Sequence, residues 1–513
     1  MEAINFLQEI LKISLVASIA CISYYYYKYF TRENPLPGPF PLPFIGNIHQ
    51  IFKNHSFDIG KLQDKYGDLC EFYAGSKRFI LLCNNDLIQK ITKPAVNGPF
   101  HNRINGVDEG LKEIGLLDAG LVFNNDYDNW QYHRKFFTKV MMSPQFIKQS
   151  VIVVQDIFLG MEKHWDKFEE NTVFEFNHWM TRYFFDTIFI TTTNKSAHAL
   201  TNYYTELTPN EKSSLPESIL KESNTFVEFV DSFVYSVFYF FLVPRIIRNF
   251  PGISRNTQYI KDRVSWLRNN LDNTIKSRRE EIFKTPIDQK LTSDMLTMFL
   301  TVNTERDVTE RIADNHHDEP MPDKEIQENF IEVLSAGIDT GSNSMCFLVD
   351  FLENNPKVKL RMIEEIERVL GKDPNSSFTL EDLSKLEYVE AIIKEASRLR
   401  VIVPTIFKIN SVPEVIGGYK WSKGTCFMMS IDKIQNHKSY WKDPEIFNPD
   451  RFMDDPESKN KVYMFGGSLR KCPGRNLAMM ELKATLAMLY RKYDIELVGP
   501  LKDILEYLGN AMN

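Results

Sequence analysis

The sequence predicts a predominantly α-helical protein with a small β region, and three observations carry that expectation. Residues 323–354 hold few helix breakers and stop before Pro356, which sets out one helix of about 30 residues, or about 45 Å at 1.5 Å per residue. Strand-like alternation stands out in EFYAGSKRFILL, two short runs about Gly75-Ser76 that read as a hairpin. Hydrophobic residues make up 43% and aromatics 13% of the 513 residues, enough for one extensive core able to enclose a large apolar ligand.

At the N-terminus, residues 13–27 carry no charge, and residues 4–11 extend the apolar run beyond Lys12, whose stem can snorkel to an interface. Tyr24, Tyr25, Tyr26 and Tyr27 suit a membrane boundary, and no small-residue cleavage site follows. Residues 1–30 therefore read as a retained membrane anchor. Lys28 and Arg32 follow the span while Glu2 and Glu9 precede it, which favours a cytosolic body. Prolines 35, 37, 39, 41 and 43 forbid helix and favour extended geometry, so residues 31–45 read as a stiff linker. No Gly/Ser-rich break divides the rest, and residues 46–513 read as one domain.

Further along, FVYSVFYFFLV at 233–243 is too short to span a bilayer; with Phe250-Pro251-Gly252 it reads as a pocket lid that touches the membrane. Residues 304–325 are charged and lack aromatics, a solvated loop in which His316 and His317 read as surface residues rather than metal ligands. A net charge of −7 gives no support to nucleic-acid binding. The six cysteines are scattered without paired spacing, which argues against a disulfide framework and CxxC-type zinc sites and fits a reducing compartment.

The chemistry concentrates in FGGSLRKCPGR, residues 465–475. Arg470, Lys471 and Arg475 flank Cys472, and Pro473 suits the first turn of a helix over 476–489 whose dipole would also favour a thiolate. Gly466, Gly467 and Gly474 permit close approach by something flat and bulky. On these residues alone, a buried cysteine beside a basic turn and a cysteine nucleophile both stay open.

FGGSLRKCPG resembles the haem-binding loop of the cytochrome P450 family. Glu395 and Arg398 in KEASRLR match the family's ExxR motif, and Arg451 in FNPDRF matches the arginine that completes its buried ion-pair network. AGIDT, ending at Thr340, falls near the middle of the long helix. The resemblance implies the P450 fold, with haem b (iron protoporphyrin IX) between the long central helix and the helix that follows the cysteine loop. It makes Cys472 the axial iron ligand, packs Phe465 beside the sulfur and uses Gly474 for close approach. Trp130 and Arg134 in WQYHR would meet one haem propionate and Arg470 a second, with Lys408 a third partner where relatives carry His or Arg. Asp339 and Thr340 would relay protons during oxygen activation beside a bend at Gly337.

The implied activity is monooxygenation of a lipophilic small molecule with dioxygen, since relatives that rearrange peroxides commonly lack the threonine. The chain shows no GxGxxG fingerprint, so electrons come from outside. The resemblance implies an NADPH-dependent flavoprotein reductase, with a b-type cytochrome as a further donor, at the endoplasmic reticulum membrane. Arg134, Lys135, Lys139, Lys471, Arg475 and Lys483 would form a basic docking face. Residues 100–122 would cap the pocket, and 334–338 and 401–407 would line it. A peroxide-rearranging isomerase, turning over without reductase, and a haem sensor or carrier, consuming no oxygen, are the alternatives. Ser468 departs from the family by standing where the loop normally has glycine. It is strained if the loop keeps the family path, unless Gly466 or Gly467 absorbs the turn.

Overall fold

The structure, a computed structural model, describes the chain except residues 1, 54–55, 58–59, 94–97, 104–107, 118–119, 214, 244, 293, 303, 309–320, 455–457 and 500–513. His316 and His317 therefore lie outside the described residues, as do parts of the 100–122 segment. Two compact units contain the rest.

The first unit takes in the N-terminal residues up to Gly106 and Pro404–Ile434. It opens on a helix, Glu2–Phe30, in which Gln8–Phe30 is long and apolar enough to cross a membrane and is not buried in the protein. The predicted hairpin forms from Leu69–Ala74 and Lys77–Leu82, turning at Gly75, whose φ is +61°. Lys77–Leu82 then pairs in parallel with Cys426–Ser430, which pairs antiparallel with Thr405–Ile409, giving four strands over a core of Phe72, Phe79, Leu81, Ile409 and Met428.

The proline-rich segment is packed rather than held out as a spacer. Leu36, Pro39 and Pro41 are buried, and a Cβ at Gly38 would collide with the backbone oxygen of Glu71. Buried Glu71 accepts from Arg32 Nε at 2.6 Å, from Arg78 Nε at 2.7 Å and from the Leu36 amide at 3.3 Å. Tyr26 stacks on Phe40 with centroids 5.2 Å apart, and Tyr25 donates to the Gly75 carbonyl at 3.3 Å. Local sequence shows the prolines' stiffness but not the distant carboxylate that gathers them in.

The second unit, Val107–Val403 with Gln435–Tyr507, is helical. Its axis is the predicted long helix, Asp323–Glu353, 31 residues that would run about 46 Å at 1.5 Å per residue. Helix Phe176–Thr193, buried along most of its length, lies against it. Two glycines set that contact: a Cβ at Gly341 would sit 2.5 Å from the Phe184 ring, and one at Gly337 would sit 3.1 Å from Ile188. Gly337 thus takes part in the helix–helix contact through its approach to Ile188. The helix over the lid sequence is longer than the motif, Glu217–Leu242, and ends ahead of an exposed Phe250.

Candidate functional site

The cysteine loop closes on itself before its helix begins. The Cys472 amide donates to the Phe465 carbonyl at 2.9 Å, the Lys471 amide to Ser468 at 3.1 Å, and the Gly466 amide to Tyr463 at 2.9 Å. Such a tight turn needs left-handed residues, and Gly466 at φ +70° and Ser468 at φ +67° supply them. Gly466 takes one left-handed position and Gly467 none, while Ser468 takes the other, so neither glycine spares Ser468. The helix spans Arg475–Lys492 with Gly474 as N-cap; Pro473 lies just outside the first turn it was expected to occupy. Cys472 accordingly sits two residues ahead of the cap, and Arg475 Nη1 donates to its carbonyl at 3.3 Å.

Burial separates this cysteine from the others. Cys472 is half-buried, whereas Cys70, Cys83, Cys346 and Cys426 are buried and Cys21 is exposed on the N-terminal helix. Desolvation pushes the thiols of Cys70 and Cys346 up to about 12 and that of Cys426 to about 11, and raises Cys83 as well. Those four are held as inert thiols.

Helix Tyr127–Met141 begins where the Asp126 carboxylate accepts the amides of Asp128 and Asn129, each at 3.1 Å. Its first turn buries Trp130, over which the Arg470 guanidinium lies 4.4 Å from the ring centroid. Arg134 follows one turn later, on the same face and partly exposed. Arg470 also donates to the carbonyls of Leu121 at 2.8 Å and Asn124 at 2.5 Å. Trp130, Arg470 and the Cys472 loop are thus brought together. Lys408 lies in the sheet unit, buried on Thr405–Ile409, with Nζ 3.1 Å from the Phe100 carbonyl.

Midway along the long helix the pattern of burial breaks. Ile338 is fully buried, but Ala336 is exposed, Asp339 and Thr340 are half-buried, and Thr340 Oγ1 donates to the Ala336 carbonyl at 2.6 Å. One turn on, Ser344 and Phe347 share a cleft with Met464, the neighbour of Phe465. The long helix and the residue just before the cysteine loop therefore border one cleft.

Glu395 and Arg398 lie three apart on Glu387–Leu399 and point into its buried face. Arg398 grips Glu395 with Nε at 2.8 Å and Nη2 at 2.9 Å, while Arg451 Nε reaches Glu395 Oε1 at 3.2 Å. The Asn448 amide adds a donor at 2.9 Å, and Arg398 Nη1 donates to the Gln435 carbonyl at 2.9 Å. Every charge in the triad has a directed partner.

Two residues were missed and one misplaced by sequence reasoning. Glu332, in the apolar run FIEVL, is buried on the long helix, and Glu481 is buried on the cysteine-loop helix. A lone carboxylate inside an apolar run is the signal that finds Glu332. Lys483, expected on the basic face, is instead buried and paired with Glu390 at 2.7 Å; Lys139 lies 3.8 Å from Asp307, and Lys135 and Lys471 stay exposed.

These residues fit haem. A side chain at Gly474 would point into open space rather than into protein. Arginines stand near the cysteine loop to meet an acidic edge, and the half-buried Cys472 offers a soft donor. A family model described as Cytochrome P450 matches residues 36–509. Similar proteins include cytochrome P450 3A31 of Mesocricetus auratus, 24% identical over 480 residues, 91% of this chain and 86% of that protein. The 3,9-dihydroxypterocarpan 6A-monooxygenase of Glycine max is 25% identical over 503 residues, covering 96% of this chain and 92% of that one. Probable cytochrome P450 513F1 of Dictyostelium discoideum is 25% identical over 495 residues, 93% and 92% respectively.

Proposed function

This chain belongs to the cytochrome P450 family and is a haem-thiolate monooxygenase, and from that premise we propose how its residues divide the work. Haem, when bound, supplies dioxygen activation, to which a thiolate ligand contributes electron density that favours O–O cleavage. Cys472 is the ligand in this reading, and one observation carries it: Cys70, Cys83, Cys346 and Cys426 are buried with raised thiol pKa values and Cys21 lies on the apolar N-terminal helix, while Cys472 is half-buried beside a helix N-terminus.

Phe465 packs beside the sulfur and shields it from water, while Gly474 leaves room for the macrocycle. Arg470, Arg134 and the Trp130 indole hold the propionate edge. Thr340 keeps a hydroxyl proton on Oγ1, hydrogen-bonded to the Ala336 carbonyl, and Asp339 replenishes it from solvent. Glu395, Arg398 and Arg451 keep the helical body in register beneath the site.

The substrate is a lipophilic small molecule, admitted past the aromatic lid helix and held beside Ala336. An NADPH-dependent flavoprotein reductase or a b-type cytochrome docks on the smaller basic face of Lys135, Lys471 and Arg475. The N-terminal helix anchors the protein in the endoplasmic reticulum membrane with the body cytosolic, in keeping with Lys28 in its last turn and Arg32 just beyond it. Incubation of the reconstituted enzyme with NADPH, reductase, lipid extract and isotopically labelled dioxygen tests the reading. One labelled oxygen atom should appear in an organic product. Turnover without reductase or label rejects it in favour of an isomerase.

A further inference from the structure

Between the cysteine loop and the long helix lies a short segment, Gly120 through Asn124, held from both sides. On one side stands Glu332, one turn ahead of Ala336. Its carboxylate accepts the Val122 amide at 2.8 Å and the Leu121 amide through its other oxygen. Gly120 has φ +58°, and a Cβ there would lie 2.6 Å from that carboxylate, so only glycine lets the segment approach so closely. On the other side Arg470 takes the carbonyls of Leu121 and Asn124. The Leu121 peptide is thus gripped at its N–H by the long helix and at its C=O by the cysteine loop. Buried Asn124 completes the fold-back by donating to the Gly120 carbonyl at 3.1 Å and to Asn129 at 2.6 Å.

A carboxylate in an apolar helix run is costly unless its oxygens are satisfied, and here backbone amides of one segment satisfy both. That segment leads directly into the helix carrying Trp130 and Arg134. We infer that Glu332 is a positioning residue: it latches the Gly120–Asn124 segment against Arg470, and so sets the pocket wall beside Ala336 and the seat of the haem edge together. The inference rests on the reading of Cys472 as haem ligand and names a specificity-determining contact for that same site.

The test uses the haem-loaded full-length enzyme and needs no turnover. Glu332→Gln keeps the shape but turns an amide NH2 toward a backbone N–H. Backbone exchange over Leu121 and Val122 should speed by about tenfold, as expected when a charge-assisted bond to a buried amide is lost. The dissociation constant of 4-phenylimidazole, read from the Soret band, should change by about threefold or more while that of imidazole stays within about twofold, because only the bulky probe reaches the wall. Glu328→Gln is the control on the same helix: it breaks a 2.9 Å pair with Arg268 that does not touch the segment, and both readouts should stay at parent values. If Glu332→Gln fails to load haem, Glu332→Asp keeps the charge on a shorter stem and should still show faster exchange than the parent. Parent-like protection in the variant that loads, or equal shifts for both imidazoles, overturns the latch. Failure of the Cys472 reading would show separately, as a parent enzyme lacking the thiolate signature with carbon monoxide.

Discussion

Two buried glutamates stand on two helices of the same unit, and their surroundings differ. Glu395 meets two arginines and a backbone amide. Glu481, on the helix that leaves the cysteine loop, is equally buried, yet its Oε1 makes no hydrogen bond among the described residues, and desolvation pushes its carboxyl up to about 8. One glutamate is met by a complete set of donors, and the other, lacking them, is pushed toward its neutral form by burial. The difference shows how this fold divides rigidity: directed charge fixes the ExxR helix, while the cysteine-loop helix combines apolar packing with the Lys483–Glu390 pair and leaves a carboxyl without such donors.

Breaking the charged side should have the larger effect. Arg398→Ala leaves Glu395 buried with a lost partner, at a cost of about 3–5 kcal/mol, comparable to a large share of ordinary domain stability. We expect little haem-loaded protein and a sharply lowered denaturation midpoint. A midpoint within experimental error of the parent would show that Arg451 and Asn448 suffice to hold the carboxylate. On the cysteine-loop side, Cys472→Ser should instead leave the fold standing and remove the red-shifted absorption that thiolate-ligated ferrous haem gives with carbon monoxide, because a neutral hydroxyl cannot supply the same electron density. Single replacements of Cys70, Cys83, Cys346 and Cys426 should keep that band. An unchanged spectrum in Cys472→Ser would transfer the ligand role to one of them.

The neutral glutamate makes a pH prediction. Its folded pKa, about 8, lies above the ordinary 4.5, so its contribution to stability is fully present below about 4.5 and is lost as pH rises through about 8. Glu481→Gln is neutral throughout and escapes that loss. Relative to the parent, it should therefore gain stability between pH 5 and pH 8, on the order of a few kcal/mol. Denaturant melts of both proteins across that range decide it; parallel pH profiles would mean the carboxyl finds a partner or water when ionised.

What sequence could and could not reveal follows the same division. The long helix, the hairpin at Gly75, and the Glu395–Arg398 pair were legible because each is a local pattern: breaker spacing, alternation, or an i,i+3 pair on one face. Cys472 was singled out by its basic, glycine-rich neighbours, and its role was legible only through the resemblance of that loop to the family's haem-binding loop. Lys483 was misread because position along the chain does not show that Glu390, from another helix, draws it inside. Glu332, Glu71 and the packed proline segment escaped for the same reason, since each depends on partners far away in the sequence.

The smallest expected effect lies in the loop itself and sharpens the comparison. Ser468 occupies a left-handed conformation at φ +67°, where a side chain crowds the following carbonyl and costs about 1–2 kcal/mol. Its carbonyl still accepts the Lys471 amide at 3.1 Å, so the turn is kept despite that cost. Glycine would relieve the strain but enlarge the entropy of the unfolded chain by about 0.4–1 kcal/mol, so Ser468→Gly should gain a net of about 0.5–1 kcal/mol. At about 1.4 kcal/mol per tenfold, haem loss should then slow by about two- to fivefold. Ser468→Ala separates the causes: it keeps the Cβ and its strain while removing the hydroxyl, and should show no such gain. Thermal melts and haem-loss rates of the three holoproteins measure both quantities. A Ser468→Gly variant that melts lower and releases haem faster than the parent would mean that the serine hydroxyl, and not glycine-like freedom, steadies the cysteine loop.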